Sequence, residues 1–190
     1  KKTLLFVSRL EIEQKGVDYL LDIAKDLFQE RGHNDWKLVI VGGGSGYETV
    51  KQWTKEKHLE ENVDIVGEQK DVIDYYVNSS VFLSTSRWEG FGVVVTEAME
   101  CGLPVVSFKT DGPSEIITDK KDGYLIENYD LKQYADAVEI LMADIDLRKK
   151  MSQNAQERAK DFYTDRIAEK WEKLIENEVH CNAGSAAKEK

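Results

Sequence analysis

Residues 84–102 read Ser-Thr-Ser-Arg-Trp-Glu-Gly-Phe-Gly-Val-Val-Val-Thr-Glu-Ala-Met-Glu-Cys-Gly, between the apolar runs Val81–Leu83 and Pro104–Phe108. Short apolar runs bounded by turn residues read as buried strands, so the stretch between them is a strand-to-helix crossing. The polar Ser84–Glu89 leaves the strand, Gly90 and Gly92 free the backbone, and Val93–Cys101 has the spacing of a short helix that Gly102 stops. The first amides of such a helix lack intrahelical partners and lie at the positive end of its dipole, which favours a phosphate. Glu89 precedes the glycines and Glu97 falls within the helix. An ionised carboxylate is a pure acceptor and suits the two donors of a sugar diol better than it suits phosphate. Amides for phosphate beside carboxylates for sugar point to a ligand that contains both. The plainer reading is a glycine turn with solvated helix glutamates, and this stretch does not decide between the two.

The whole chain narrows the choice. Its 190 residues are enough for one domain that buries roughly 70% of its unfolded surface. A formal net charge of −10 argues against a nucleic-acid partner, because phosphate backbones are held by basic surfaces. Any anionic ligand must therefore meet a local cluster of cations. Cys101 and Cys181 make no disulfide framework and fit a reducing, cytoplasmic compartment. The adjacent His180 and Cys181 lie in a polar tail and are two ligands short of a structural metal site, so no metal is expected. No apolar run approaches the roughly 20 residues of a membrane span. The chain opens on Lys1 with no methionine and enters a strand almost at once, which suggests a cut point in a longer protein. Residues 1–178 are expected to form the domain, and 179–190 a disordered tail rich in alanine, lysine and glutamate.

Strands and helices alternate along the first two-thirds. Leu4–Val7 reads as a strand and Gly16–Arg31 as a helix, joined by a loop, Ser8–Lys15, that carries Arg9 and Lys15. Arginine offers a planar fork to phosphate oxygens and lysine a point charge, although charged residues are the default occupants of any loop. Trp36–Val41 is a second strand, followed by Gly42, Gly43, Gly44, Ser45 and Gly46 and a helix over Tyr47–Lys57. The spacing fails the G-x-G-x-x-G dinucleotide pattern. These glycines mark either a close approach to a ligand or a loose turn. Val63–Val66 is a third strand, closed by Gly67 and followed by Glu68 and a short helix, Asp71–Val77. Val81–Leu83 and Pro104–Phe108 are the fourth and fifth strands and Gly123–Ile126 the sixth, with Thr110–Glu115 turning into a short helix between the last two. Helices over Leu131–Ala143, Leu147–Lys160 and Ile167–Glu178 complete the chain. The pattern predicts an α/β fold with a Rossmann-like, doubly wound parallel sheet of about six strands. Right-handed crossovers then bring Arg9, Lys15, the glycine run, Glu68 and residues 84–102 to one edge of the sheet.

In that order, Ser8-Arg9-Leu10 with Lys15-Gly16, Glu89-Gly-Phe-Gly with Glu97-Ala, and Gly102-x-Pro104-Val-Val resemble the retaining nucleotide-sugar glycosyltransferases of group 1, family 4. Glycogen synthases and bacterial surface-polysaccharide transferases are members of that family. The resemblance covers about Thr3 to Trp171 and implies one half of a GT-B fold, the carboxyl-terminal donor-binding domain. It places Arg9 and Lys15 on the donor diphosphate and Glu89 on the transferred sugar, these three being catalytic. Gly43, Val66, Gly67, Glu68, Gly90, Phe91, Gly92, Val93 and Glu97 would bind the donor, with Glu97 on the ribose and the base near Val66 and Gly67.

The resemblance implies no cofactor. Its partners are a nucleotide-sugar donor, a glycan or lipid-linked acceptor, and an amino-terminal acceptor domain whose catalytic histidine has no counterpart in this sequence. It also allows peripheral association with the inner face of a membrane. The loop Thr110-Asp-Gly-Pro-Ser-Glu115 is similar to that of transferases that use uridine-diphosphate sugars. Two other classes stay open: a nucleotide-sugar-binding module without transferase activity, and an epimerase or phosphorylase on a similar scaffold.

Overall fold

A computed structural model describes the backbone of residues 1–186 and the side chains of residues 1–127 and 129–176. Its sheet consists of β1 (Thr3–Val7), β2 (Lys37–Val41), β3 (Val63–Gly67), β4 (Val81–Ser84), β5 (Val105–Phe108) and β6 (Gly123–Ile126). The six strands lie in the order β3-β2-β1-β4-β5-β6, and every pairing is parallel. Chain order reverses between β1 and β4, and ligands of such sheets bind outside the carboxyl ends of the strands at that switch point.

The central strands β1, β4 and β5 are short and almost fully buried because both faces of the sheet are covered there, whereas the edge strand β3 keeps Asp64 exposed. Leu4 and Phe6 point to one face, where they join Leu38, Ile40, Val106 and Phe108 beneath Leu20, Leu21, Val138 and Leu141. Leu5 and Val7 alternate to the other, against Val41, Phe82, Val105, Val95, Met99 and Ala155. Leu4 and Leu5 are both 0% exposed, and each such side chain contributes about 1.5–3 kcal/mol. The covering helices are α2 (Val17–Lys25) and α7 (Leu131–Ala143) on the first face, and α5 (Val93–Glu100) and α8 (Ile145–Ala159) on the second. The remaining helices are α1 (Ile12–Lys15), α3 (Tyr47–Glu56), α4 (Ile73–Val77), α6 (Asp111–Ile116) and α9 (Thr164–Ala186).

Three local readings of the sequence are corrected. The segment Ser8–Lys15 is not all loop, because its last four residues form α1, which ends at Gly16 in the left-handed region (φ 59°). The helix expected over Gly16–Arg31 widens after α2, where the Arg31 amide donates to Asp26 O at 2.9 Å, five residues back, and Leu27 and Phe28 are thereby buried. α8 starts two residues before Leu147, because Asp144 caps it through the amides of Asp146 and Leu147 at 3.0 and 2.8 Å. Helix α9 continues past Glu178 to Ala186, and the last residues of the expected tail, 187–190, lie outside the described residues. Ile167, Trp171, Leu174 and Ile175 of α9 are exposed. Among the described residues no helix is long and apolar enough to cross a membrane.

Candidate functional site

Two loops meet at the switch point. The first leaves β1 at Ser8 and is tied to the glycine run: the Leu10 amide donates to Gly43 O at 2.7 Å, and the Gly46 amide donates to Leu10 O at 2.9 Å. A Cβ on Gly42 would lie 1.7 Å from Ser8 O, and one on Gly46 2.5 Å from Leu10 O. The glycines therefore admit the neighbouring loop's backbone, an explanation distinct from both a ligand approach and a loose turn. The contact leaves Arg9 on the surface, with no acceptor for its guanidinium among the described residues. Arg9, Gly43, Gly44, Glu68, Val72 and Val94 line a cavity of about 350 Å³. Val94 lies in the first turn of α5, so that helix start and the free cation share one space.

The second loop runs from β4 to α5. Lys15 Nζ approaches Glu89 Oε2 to 2.5 Å, with the side chains 13% and 17% exposed. Thr85 Oγ1 donates to Lys15 O at 2.9 Å. Arg87 fastens the same two segments, since its terminal nitrogens bond Asp18 Oδ1 and Oδ2 at 3.0 and 2.5 Å and its amide donates to Gln14 O at 2.8 Å. The Arg87 guanidinium also lies 3.9 Å from the centroid of the Tyr19 ring. Beyond Glu89, Gly92 enters the left-handed region (φ 92°) and starts α5, while a Cβ on Gly90 would meet nothing within 4 Å. The chain's own packing thus does not require glycine at position 90, and the loop is bare there.

Glu97, on the exposed side of α5, accepts a hydrogen bond at its Oε2 from the Tyr76 hydroxyl at 2.9 Å. Tyr76 is 1% exposed, and burial, followed by the Glu97 charge, pushes its phenol well above the ordinary range. It therefore stays a donor and fixes one Glu97 oxygen, while the other meets no hydrogen-bond donor among the described residues.

A second cavity of about 430 Å³ opens at the same edge, bounded by Arg87–Gly90, Lys109–Asp111 and Tyr129. Arg9, Gly43 and Glu68 thus share one cavity, Glu89 and Gly90 line the other, and Lys15 reaches Glu89. Val66 and Gly67 end β3 without lining either cavity, and the Gly67 carbonyl accepts from the Gly42 amide at 2.8 Å. Val93 is exposed, and the Phe91 ring packs edge-on against Phe162 with centroids 5.7 Å apart. The sequence reading missed Tyr76, Arg87 and Asp18, whose partners lie far along the chain. Among the described residues no group of three or more His, Cys, Asp or Glu side chains could hold a metal ion.

Residues 1–158 match the family model described as "Glycosyl transferases group 1". The chain belongs to this family. Among curated relatives, the amylovoran biosynthesis glycosyltransferase AmsD of Erwinia amylovora is 36% identical over 174 residues, which cover 90% of this chain and 47% of that protein. A poly(ribitol-phosphate) alpha-N-acetylglucosaminyltransferase of Staphylococcus aureus is 33% identical over 181 residues, covering 92% of this chain and 35% of that one. The chain spans less than half the length of these glycosyltransferases. Among solved structures, an S. aureus TarM mutant in complex with fondaparinux, alpha-GlcNAc-glycerol and UDP superposes with a TM-score of 0.85 at 32% identity, over 92% of this chain and 35% of that one. The pneumococcal O-GlcNAc transferase GtfA in complex with UDP and GlcNAc gives 0.80 at 27% identity, over 94% and 36%. The Rossmann-like unit formed by this member of the group 1 family is thus one that recurs within GT-B enzymes.

Proposed function

We propose that the chain is the donor-binding unit of a glycosyltransferase that moves a sugar, with retention, from a uridine-diphosphate sugar to a glycan or lipid-linked acceptor. The observation that carries the reading is Arg9, an exposed cation facing a cavity walled by glycine backbone and the start of α5. A fixed cation and helix amides stabilise the charge that develops on a departing diphosphate. Uridine is favoured because the TarM and GtfA structures, 32% and 27% identical to this chain, contain UDP.

In the reaction the bond between the anomeric carbon and the diphosphate oxygen breaks, and its electron pair stays on the diphosphate. The acceptor hydroxyl oxygen bonds to that carbon from the same face, and its proton passes to the departing diphosphate. Arg9 and Lys15 hold the diphosphate. Sugar hydroxyls replace Lys15 as the partner of Glu89, and Glu97 takes the ribose diol through the oxygen that Tyr76 leaves open. The acceptor side belongs to a second domain of a longer, cytoplasmic protein, which works at the inner face of the membrane when its acceptor is lipid-linked.

Titration calorimetry of the chain with UDP, UDP-N-acetylglucosamine, GDP and ADP in the presence of a chelator tests the reading. UDP and its sugar should bind without metal. Failure of every nucleoside diphosphate to bind would overturn it.

A further inference from the structure

The second cavity differs chemically from the one that holds Arg9. Its cations are engaged: Arg87 forks onto Asp18 at 3.0 and 2.5 Å, and Lys109 pairs with Glu127 at 2.5 Å. Glu89 is engaged as well, by Lys15 at 2.5 Å. Of the ionised side chains that line the cavity, Asp111 alone meets no counter-ion among the described residues. A phosphate would find a free carboxylate here and no free cation, so the cavity suits a neutral ligand rich in hydroxyls.

Its apolar walls carry the same implication. Trp88 is 51% exposed, an unusual placing for so large an aromatic surface. Tyr129 is held in position: its hydroxyl donates to Arg87 O at 2.7 Å, its ring stacks on Tyr19 with centroids 6.0 Å apart, and Phe108 meets it edge-on at 5.2 Å. Its backbone sits at φ 54°, a region that costs a bulky residue free energy and persists where surrounding contacts impose it. The Thr110 hydroxyl is buried and unpartnered among the described residues. A pyranose presents an apolar C–H face and a rim of hydroxyls. An aromatic plane covers the first, and a free carboxylate accepts two donors of the second.

We propose that this cavity is a saccharide subsite in which Trp88 covers the face of a sugar ring and Asp111 accepts from its hydroxyls. The inference rests on the donor-site reading only in placing Glu89 as the wall between nucleotide and saccharide. The sugar has two sources, the transferred residue of the donor and the terminal residue of a glycan acceptor.

The test compares the chain with its Trp88→Ala, Trp88→Phe and Asp111→Asn variants, each checked for an unchanged melting temperature. One arm titrates methyl glycosides of glucose, galactose and N-acetylglucosamine by saturation-transfer NMR. The other measures by calorimetry how much more tightly UDP-N-acetylglucosamine binds than UDP. Trp88→Ala and Asp111→Asn should each lower one of these by about fivefold, the scale of one aromatic contact or charge-assisted hydrogen bond, while Trp88→Phe retains most of it. A loss in the glycoside arm places an acceptor sugar in the cavity, and a loss in the sugar-nucleotide arm places the donor sugar there. Unchanged values in both arms overturn the proposal. UDP affinity should be the same in all four proteins, so absent UDP binding with intact glycoside binding would sink the donor reading and leave the saccharide subsite standing.

Discussion

Lys15 Nζ lies 2.5 Å from Glu89 Oε2, across 74 residues of chain, with the side chains 13% and 17% exposed. A cation assigned to phosphate and a carboxylate assigned to sugar thus neutralise each other. A sugar diphosphate can exchange both partners at once, phosphate for Glu89 and hydroxyls for Lys15. A free diphosphate takes Lys15 but leaves Glu89 without a partner.

Glu89→Gln should therefore tighten UDP by about fivefold, roughly 1 kcal/mol, the upper range for a partly exposed pair whose competition is removed. In the two-domain enzyme proposed above the same change should lower turnover, because the contact proposed between Glu89 and the reacting sugar would be lost where it matters most. Calorimetry with UDP checks the first half. Weaker UDP binding by the variant would show that Glu89 positions Lys15 rather than competing for it.

Arg9 behaves differently, since nothing among the described residues holds its guanidinium. Arg9→Ala should leave the melting temperature unchanged and weaken UDP by about 1.5–3 kcal/mol, the range for a hydrogen bond to a charged group. Loss of stability without loss of affinity would remove it from the diphosphate site.

The contrast between Arg9 and Arg87 shows what the sequence made legible. The strands appeared within a residue or two, because apolar runs such as Leu4–Val7 and Val81–Leu83 are bounded by polar residues and have both faces covered. Glu89 and Glu97 stood out because glycines punctuate the loop between them. Arg87 lies in the same quoted stretch, yet its partner Asp18 is 69 positions away and no local pattern separates an anchored loop arginine from a solvated one. Tyr76 was hidden likewise, as one apolar position of a short helix whose hydroxyl finds Glu97 only once β4 and α5 are in place. The glycine run was misjudged for the complementary reason: what crowds Gly42 and Gly46 is the backbone of Ser8 and Leu10, which the sheet brings alongside.

Tyr76→Phe tests the Glu97 anchor. It removes one hydroxyl and keeps the buried ring, so stability should fall by about 1 kcal/mol, the net contribution of one hydrogen bond. UDP and UDP-sugar should weaken by equal factors, because both carry the ribose that Glu97 is proposed to hold. A loss seen with the sugar nucleotide and absent with UDP would move Glu97 to the sugar.

Asp122 gives one component of the pH response of the fold. Its Oδ1 accepts from the Thr118 amide at 2.8 Å, its Oδ2 is buried without a partner among the described residues, and burial pushes its carboxyl above the ordinary value. A carboxyl with a raised folded pKa binds its proton more tightly in the native chain than in the unfolded one. Its contribution to stability should therefore fall as pH rises from the ordinary carboxylate value through the raised one. Asp136 and Glu139, held below the ordinary carboxylate value chiefly by Arg31 and His33 respectively, contribute the opposite slope, so Asp122→Asn should make urea midpoints rise more steeply with pH across the acidic range than in the wild type. An identical pH profile in the variant would remove Asp122 from the response.

The bidentate pair of Arg87 and Asp18 makes the last prediction. It joins the loop that carries Glu89 to the segment that carries Lys15, and its side chains are 22% and 34% exposed. A surface pair of that exposure contributes little by charge alone, but Arg87 adds its contact with the Tyr19 ring. Arg87→Ala should therefore destabilise the chain by about 1–2 kcal/mol, and Arg87→Lys by less, since lysine keeps the charge but loses the planar fork. If the pair also sets the distance between Lys15 and Glu89, Arg87→Ala and Asp18→Asn should each weaken UDP, and the double variant should weaken it no further than the worse single one. Such non-additivity is the mark of two residues acting through one contact. Fully additive losses in UDP affinity would mean that the two side chains act on the site by separate routes and that their contact does not set the distance between Lys15 and Glu89.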